Sequence, residues 1–268
     1  MDRRAVQKWL MTQPQATTEV SVQLTTWGSG PRVVMVHGGS PGGGREAFAE
    51  QRPLAEFWEL ILPDRPGHGR TPQLGREDFE RDARLLLPLL SEPAHLVGHS
   101  YGAMVALVMA LHAPRAVHSL MLIEPPAYSV DIGNAIVDAM AHDNRQLIAH
   151  PPADSLALLR GFFALVGSDA TLPDVPEDRL PARLRNAADM LRNMRSPHEA
   201  DIPVAALRLA GYPFCVLTSG RTPGFEAIAE AFERKAGAKH VLVPGADHAV
   251  QDKGEIVNVV MDAFWRTG

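Results

Sequence analysis

The chain has 268 residues, a net charge of −5, 46% hydrophobic and 21% charged residues, and a single cysteine. These values suit one large α/β domain, or a core with an inserted lid, and give no electrostatic case for binding nucleic acid or an anionic membrane. The lone Cys215 excludes an internal disulfide and a thiolate metal cluster, and within Phe214-Cys215-Val216-Leu217 it reads as a buried, inert thiol. No stretch approaches the roughly 18 apolar residues of a spanning helix, and the first ten residues lack a signal-peptide core. A cytoplasmic protein, monomer or homodimer, is expected.

In chain order, residues 3–11 pattern as a short amphipathic helix. Residues 19–27 alternate polar and apolar through Val20, Val22 and Leu24, the period of an edge strand. Arg32-Val33-Val34-Met35-Val36 is a continuous apolar run, as in a strand covered on both faces. His37-Gly38-Gly39-Ser40-Pro41-Gly42-Gly43-Gly44 follows, too glycine-rich for helix or strand and suggestive of a loop able to move. A helix over 46–56 and a strand over 58–63 lead to the turn-rich Asp64-Arg65-Pro66-Gly67-His68-Gly69-Arg70-Thr71. A helix over 78–90 places Leu85, Leu86, Leu89 and Leu90 on one face.

Ala94-His95-Leu96-Val97 is then a short buried strand, Gly98-His99-Ser100-Tyr101-Gly102 a sharp turn, and the apolar run from Ala103 a helix. The strand over 117–123 ends at Glu124-Pro125-Pro126. Strands alternating with helices predict a mainly parallel sheet with helices on both faces. Between 127 and 205 the strand rhythm stops. Helices are predicted over 132–142, 155–166 and 179–194, an inserted helical cap on a core of 1–126 and 206–268. Strands over 213–219 and 239–243 and helices over 224–236 and 255–265 complete the core, with Asp247-His248 in the last loop.

The turn around Ser100 has the G-x-S-x-G spacing of a nucleophile elbow, in which a strained backbone lifts the serine hydroxyl above the sheet. Gly98 and Gly102 are needed because a Cβ at either position would collide with the neighbouring helix and strand. The amides and dipole of the following helix suit an oxyanion beside Ser100. Ser100 needs a base. Of 11 histidines, His248 follows the last predicted strand, on the sheet edge where the elbow opens, and would accept and return the serine proton. His99 points away from the serine by turn geometry.

An imidazole that turns cationic needs a carboxylate partner. Glu124 ends the strand expected beside the elbow strand and is long enough to reach across. Glu226 is the rival, although the helical pattern beginning there would carry it outward.

His37-Gly38-Gly39, Asp64-Arg65-Pro66-Gly67-His68-Gly69, Gly98-His99-Ser100-Tyr101-Gly102 and Gly245-Ala246-Asp247-His248 stand in this order. On these motifs the chain resembles an α/β-hydrolase-fold serine hydrolase with a helical cap, over nearly its whole length except the cap. The resemblance implies a mostly parallel, eight-stranded sheet. It also implies an oxyanion hole made by the backbone N–H groups of Tyr101 and Gly39, with Ser40 adjacent, and structural roles for His37 and His68. In most of that family the acid is an Asp just past the strand corresponding to 214–217. Here Thr218-Ser219-Gly220-Arg221-Thr222 holds none. Glu124 instead is similar to the acid placed after the sixth strand in zearalenone-type lactone hydrolases and one subgroup of haloalkane dehalogenases. A serine nucleophile argues against epoxide hydrolase or dehalogenase chemistry.

The cap would wall an apolar pocket, with Phe162, Phe163 and Met194 beside Ser40 as candidate substrate-binding residues. Arg183, Arg185, Arg192 and Arg195 read as a solvated helix face. No cofactor and no metal are expected, because neither ligand spacing nor a phosphate-binding glycine motif is present. The expected activity is cleavage of a medium-sized, apolar small-molecule ester or lactone through an acyl-enzyme on Ser100, His248 and Glu124. The same triad would also serve carbon–carbon bond hydrolysis, amide or iminopeptidase cleavage, or lyase chemistry. A non-enzymatic ligand receptor is the alternative of a different class.

Overall fold

A computed structural model of the chain describes residues 21–267. The helix expected over 3–11 and the start of the first strand lie outside them. Seven strands form one sheet: β1 (Leu24–Trp27), β2 (Arg32–Val36), β3 (Glu59–Pro63), β4 (Ala94–His99), β5 (Val117–Ile123), β6 (Phe214–Thr218) and β7 (Lys239–Leu242). Their order is β1-β3-β2-β4-β5-β6-β7, with β1 antiparallel to β3 and every other pairing parallel. The expectation of eight strands is therefore corrected to seven among the described residues. Five of the seven are largely buried, and β1 and β7 are the partly exposed edges, with β1 the antiparallel one.

Apart from the edges, the strands are mostly buried and rich in Val, Leu, Ile and Met because helices cover both faces. One side carries α1 (Gly44–Ala47, continued by a 3₁₀ segment over Ala49–Glu56) and α9 (Glu255–Trp265). The other carries α2 (Phe79–Leu86), α3 (Tyr101–His112) and α8 (Pro223–Ala236). Every residue of α3 from Tyr101 to Leu111 is buried, which is why this helix is apolar on all sides rather than on one stripe. The chain moves from β2 out to β3 and returns past β2 to β4. The crevice at that reversal, at the carboxyl ends of β2 and β4, is where ligands collect in open α/β sheets.

Between β5 and β6 lie α4 (Ala135–Ala149), α5 (Ser155–Val166), α6 (Ala182–Arg192) and α7 (Val204–Ala210). The last was not expected from sequence: seven residues are too few for two periods of an apolar face. Arg195 does not lie on a solvated face. It bonds Asp78, Glu80 and Glu199 at 3.3, 3.1 and 3.2 Å and covers the Phe79 ring. Beside it the backbone of Glu77 pairs with Asn193 and Arg195, so the chain after α6 is stitched to the loop before α2.

Candidate functional site

The carboxyl ends of β2, β4, β5 and β7 converge on Ser100. The serine ends β4 with φ 53 and ψ −124, and Glu124 ends β5 with φ 46; they are the only non-glycine residues at positive φ among those described. Such conformations cost about 1–3 kcal/mol each and persist where the surroundings over-determine them. The surroundings here do so. Ser100 N–H donates to Ile123 O at 2.9 Å, and Glu124 N–H to Leu217 O at 3.0 Å. A Cβ on Gly98 would lie 2.6 Å from Ala103 Cα, and one on Gly102 would lie 2.3 Å from the Val36 and His37 carbonyls. The elbow can thus be seated only with glycine at both places.

The structure brings Ser100, His248 and Glu124 together. His248 Nε2 lies 2.9 Å from Ser100 Oγ, and His248 Nδ1 lies 3.1 Å from Glu124 Oε2. All three are buried, Glu124 completely. With Glu124 ionised, Nδ1 carries the proton and donates to it, which leaves Nε2 as the acceptor for the serine hydroxyl. The other carboxylate oxygen, Glu124 Oε1, accepts from Ser219 N–H and Ser219 Oγ–H, both at 2.7 Å. Ser219 therefore occupies the segment past β6 where an Asp would usually stand, and anchors the carboxylate that reaches in from β5. Glu226 is placed elsewhere: it accepts from Thr218 Oγ1 and Gly220 N–H and pairs with His240, locking the turn from β6 into α8.

His248 is held on two further sides. Phe225, at the start of α8, stacks on its ring at 5.2 Å and 17°. His99 donates its Nε2–H to the His248 carbonyl at 3.0 Å. Burial first, and the facing His248 second, lower the pKa of His99 to about 3, so it stays neutral and adds no charge beside His248. Ser219 and Phe225 in this supporting role were not expected. The absent Asp past β6 was the one signal that something else must fill that place.

The backbone N–H groups of Gly39 and Tyr101 have no protein acceptor among the described residues. Gly39 faces open space, and both residues border the cavity at Ser100. The Gly39 loop is clamped from below by Arg65, which is fully buried. Its guanidinium donates to the carbonyls of His37 and Gly38, both at 2.9 Å. It pairs with Glu77 at 2.6 Å and Asp82 at 3.0 Å and packs over the Tyr101 ring. Gly38 O also accepts from His37 Nδ1–H at 2.8 Å and from Ser40 N–H at 3.0 Å. His37 Nε2 accepts from Arg65 N–H, and burial together with the Arg65 charge lowers the pKa of His37 and His68 well below the ordinary value. Both rings serve the turns.

The loop over Gly42-Gly43-Gly44 is bound rather than loose: Asp64 accepts from Gly44 N–H, and Gly69 N–H donates to Pro41 O. Asp64 crowds Gly43, where φ is 75 and any Cβ would strike the carboxylate. The expectation of a mobile loop gives way to a packed turn.

Two cavities meet at Ser100. One runs beneath α5 and α6 with about 880 Å³ of empty space including its mouth, lined by Phe162, Phe163 and Met194 among other apolar side chains. The other opens past Ser40, His248, Gln251 and Asp252. Burial, Asp247 and Glu50 push the Asp252 carboxyl up to about 6. Among the described residues no three His, Cys, Asp or Glu side chains gather closely enough to hold a metal ion, and no helix is long and apolar enough to cross a membrane.

The chain is similar to known proteins at three levels. A pimeloyl-acyl-carrier-protein methyl ester esterase of Methylococcus capsulatus is 43% identical over 101 residues, 37% of this chain and 39% of that protein. The 2-hydroxy-6-oxononadienedioate/2-hydroxy-6-oxononatrienedioate hydrolase of Comamonas testosteroni is 26% identical over 61% of this chain and 60% of its own. The matches thus span 39% and 60% of the length of these curated relatives. Among solved structures, a thermophilic esterase from Thermogutta terrifontis superposes with a TM-score of 0.67 at 20% identity, covering 94% of this chain and 96% of that one. The epoxide hydrolase CorEH gives 0.66 at 17% identity, covering 93% and 99%. At these identities the two structures show a common fold and nothing further. The family model described as the alpha/beta hydrolase family matches residues 33–258, and the chain belongs to that family.

Proposed function

We propose that the protein is a serine hydrolase that cleaves a carboxylic ester or lactone of a medium-sized, apolar small molecule through an acyl-enzyme. The observation that carries this reading is the hydrogen-bonded chain from Ser100 through His248 to Glu124, with both ends held at positive φ. In the first half-reaction Ser100 Oγ attacks the carbonyl carbon while its proton passes to His248 Nε2. Negative charge then develops on the carbonyl oxygen, and the N–H groups of Gly39 and Tyr101 receive it. Glu124 stabilises the imidazolium. His248 returns the proton to the departing alkoxide as the carbon–oxygen bond breaks. In the second half-reaction water loses a proton to His248 and attacks the acyl carbon, and Ser100 departs with that proton as the acid is released. A lactone follows the same steps with its alcohol still tethered.

The names of the relatives, one a methyl ester esterase, favour an ester bond. A second reading, carbon–carbon bond hydrolysis by the same residues, draws on the hydroxy-oxo-acid hydrolase of Comamonas testosteroni. Two measurements test the proposal. A fluorophosphonate probe is expected to label Ser100 in the wild type and to leave Ser100→Ala unmodified. A panel of p-nitrophenyl esters and lactones is expected to show turnover that this substitution lowers by about 10⁴-fold or more. An unlabelled Ser100 in folded protein rejects the hydrolase reading. Labelling without turnover of any ester or lactone rejects the bond assignment alone.

A further inference from the structure

The cavity beneath α5 and α6 is apolar along most of its wall, yet two buried polar side chains border it with hydrogen-bonding capacity unused. Tyr128, four residues past Glu124, is 4% exposed, and its hydroxyl has no partner among the described residues. Burial, with no bond to offset it, pushes its phenol well above the ordinary value. Asn144, on α4, is 3% exposed and borders the same cavity. Its Oδ1 accepts from Ser196 Oγ–H at 3.1 Å, and Ser196 Oγ in turn accepts from His198 Nδ1–H at 2.6 Å. That relay fixes the amide and leaves the Asn144 Nδ2 hydrogens without a protein acceptor.

The Tyr128 hydroxyl and Asn144 Nδ2 open onto the cavity rather than being sealed in protein, so a ligand atom that enters it can take up bonds that no protein group makes. The Asn144 Nδ2 hydrogens can only donate and so call for an acceptor from the ligand, and the Tyr128 hydroxyl, which can donate or accept, can donate to the same atom. Its charge is also constrained. The residues lining the cavity include no Lys, Arg or His, and Glu77, a carboxylate already paired with Arg65, is among them. A second anion would meet repulsion and no free cation. A neutral oxygen suits the site.

We infer that Tyr128 and Asn144 form a subsite for a neutral carbonyl oxygen, carried by the acyl part of the substrate at a distance from the bond that Ser100 attacks. This rests on the hydrolase reading for which end of the ligand faces Ser100, and it narrows the substrate class to acyl groups that bear a second, uncharged carbonyl. The subsite also explains how a mostly apolar cavity fixes the depth of a flexible chain. Apolar contact is indifferent to sliding, and a hydrogen bond is not.

The test reads binding in Ser100→Ala protein, where the candidate nucleophile is absent. Calorimetric dissociation constants are measured for methyl octanoate and for four methyl oxo-octanoates, the keto group moved one carbon at a time from the fourth to the seventh position. One keto position is expected to bind roughly 5-fold tighter than the plain ester, as one net neutral hydrogen bond provides. Adding Tyr128→Phe or Asn144→Leu is expected to bring that ratio back toward one. Equal affinities at every position overturn the proposal, as does a keto advantage that survives both substitutions. Tighter binding of the corresponding hydroxy ester overturns it as well, because a group that also donates would then be preferred to one that only accepts. Fluorophosphonate labelling of the wild type fails separately if the hydrolase reading is wrong, while this binding ratio remains readable.

Discussion

At the carboxyl edge of the sheet, Ser100, Glu124 and His248 are each fixed by several directional bonds, and no volume is left for adjustment around Gly98 and Gly102. The wall formed by α5 and α6 is different. Leu158, Leu159 and Ala188 form a small apolar cluster of their own, and most cavity-lining side chains there are held by contact alone. Directional bonds fix a geometry to fractions of an ångström, whereas apolar packing tolerates volume-conserving exchange at a cost usually below about 1.5 kcal/mol. On the proposed function, chemistry and selectivity are therefore separable: the edge would determine what is done to a carbonyl, and the helical segment which carbonyl arrives.

The largest expected effect breaks the edge at its acid. Glu124→Gln should lower turnover by about 10³–10⁴-fold with the fold intact by circular dichroism, because the imidazole loses the anion that fixes its tautomer. Glu226→Gln, which touches the turn into α8 and His240 but none of Ser100, His248 and Glu124, should stay within about 3-fold. The reverse pattern would move the acid to the β6 side. Next in size is Arg65→Met. Removing the cation leaves Glu77 and Asp82 buried without it, and urea unfolding should report a loss of about 3–5 kcal/mol. Arg65→Lys should recover only part of this, since one ammonium cannot reproduce the guanidinium fork on two carbonyls. Full recovery by lysine would show that the charge matters and the geometry does not.

The smallest effect concerns His99. Its folded pKa of about 3 lies below the unfolded value near 6.5, so its neutral form stabilises the fold above that unfolded value. That contribution is lost as pH falls from about 6.5 toward 3. Wild type should therefore lose about 2 kcal/mol relative to His99→Gln between pH 7 and pH 5, measured by urea unfolding. A constant difference across that range would show that His99 is not held neutral.

Those magnitudes also indicate what a sequence can disclose. Strands β2 to β6 were legible because buried parallel strands are solid apolar runs, and α5 and α9 because their apolar faces repeat over three turns. The turn at Ser100 was legible because its two glycines and serine fall at fixed spacing within five residues. Groups brought together only by folding were not. Arg65 lies within a recognisable turn, but nothing local says that its side chain runs back to the His37 and Gly38 carbonyls. Ser219 is unremarkable until Glu124 arrives from another strand. Arg195 reads as solvated because its partners Asp78 and Glu80 lie more than a hundred residues away in sequence. Tyr128 and Asn144 belong to separate elements, and only the cavity relates them.

The Gly38 carbonyl, with its three donors, has an electronic consequence as well as a positional one. Arg65, His37 and Ser40 each draw electron density toward that oxygen, and one of the three is a full cation in a site sealed from water. The carbonyl shares its peptide plane with Gly39 N–H. Density drawn to the oxygen is withdrawn from the nitrogen by amide resonance, and in a medium of low dielectric such polarisation passes along the hydrogen-bond chain with little screening. The Gly39 N–H is thereby a stronger donor than an isolated amide toward any anion that forms above Ser100. A cation that never touches the cavity reaches it through one peptide bond.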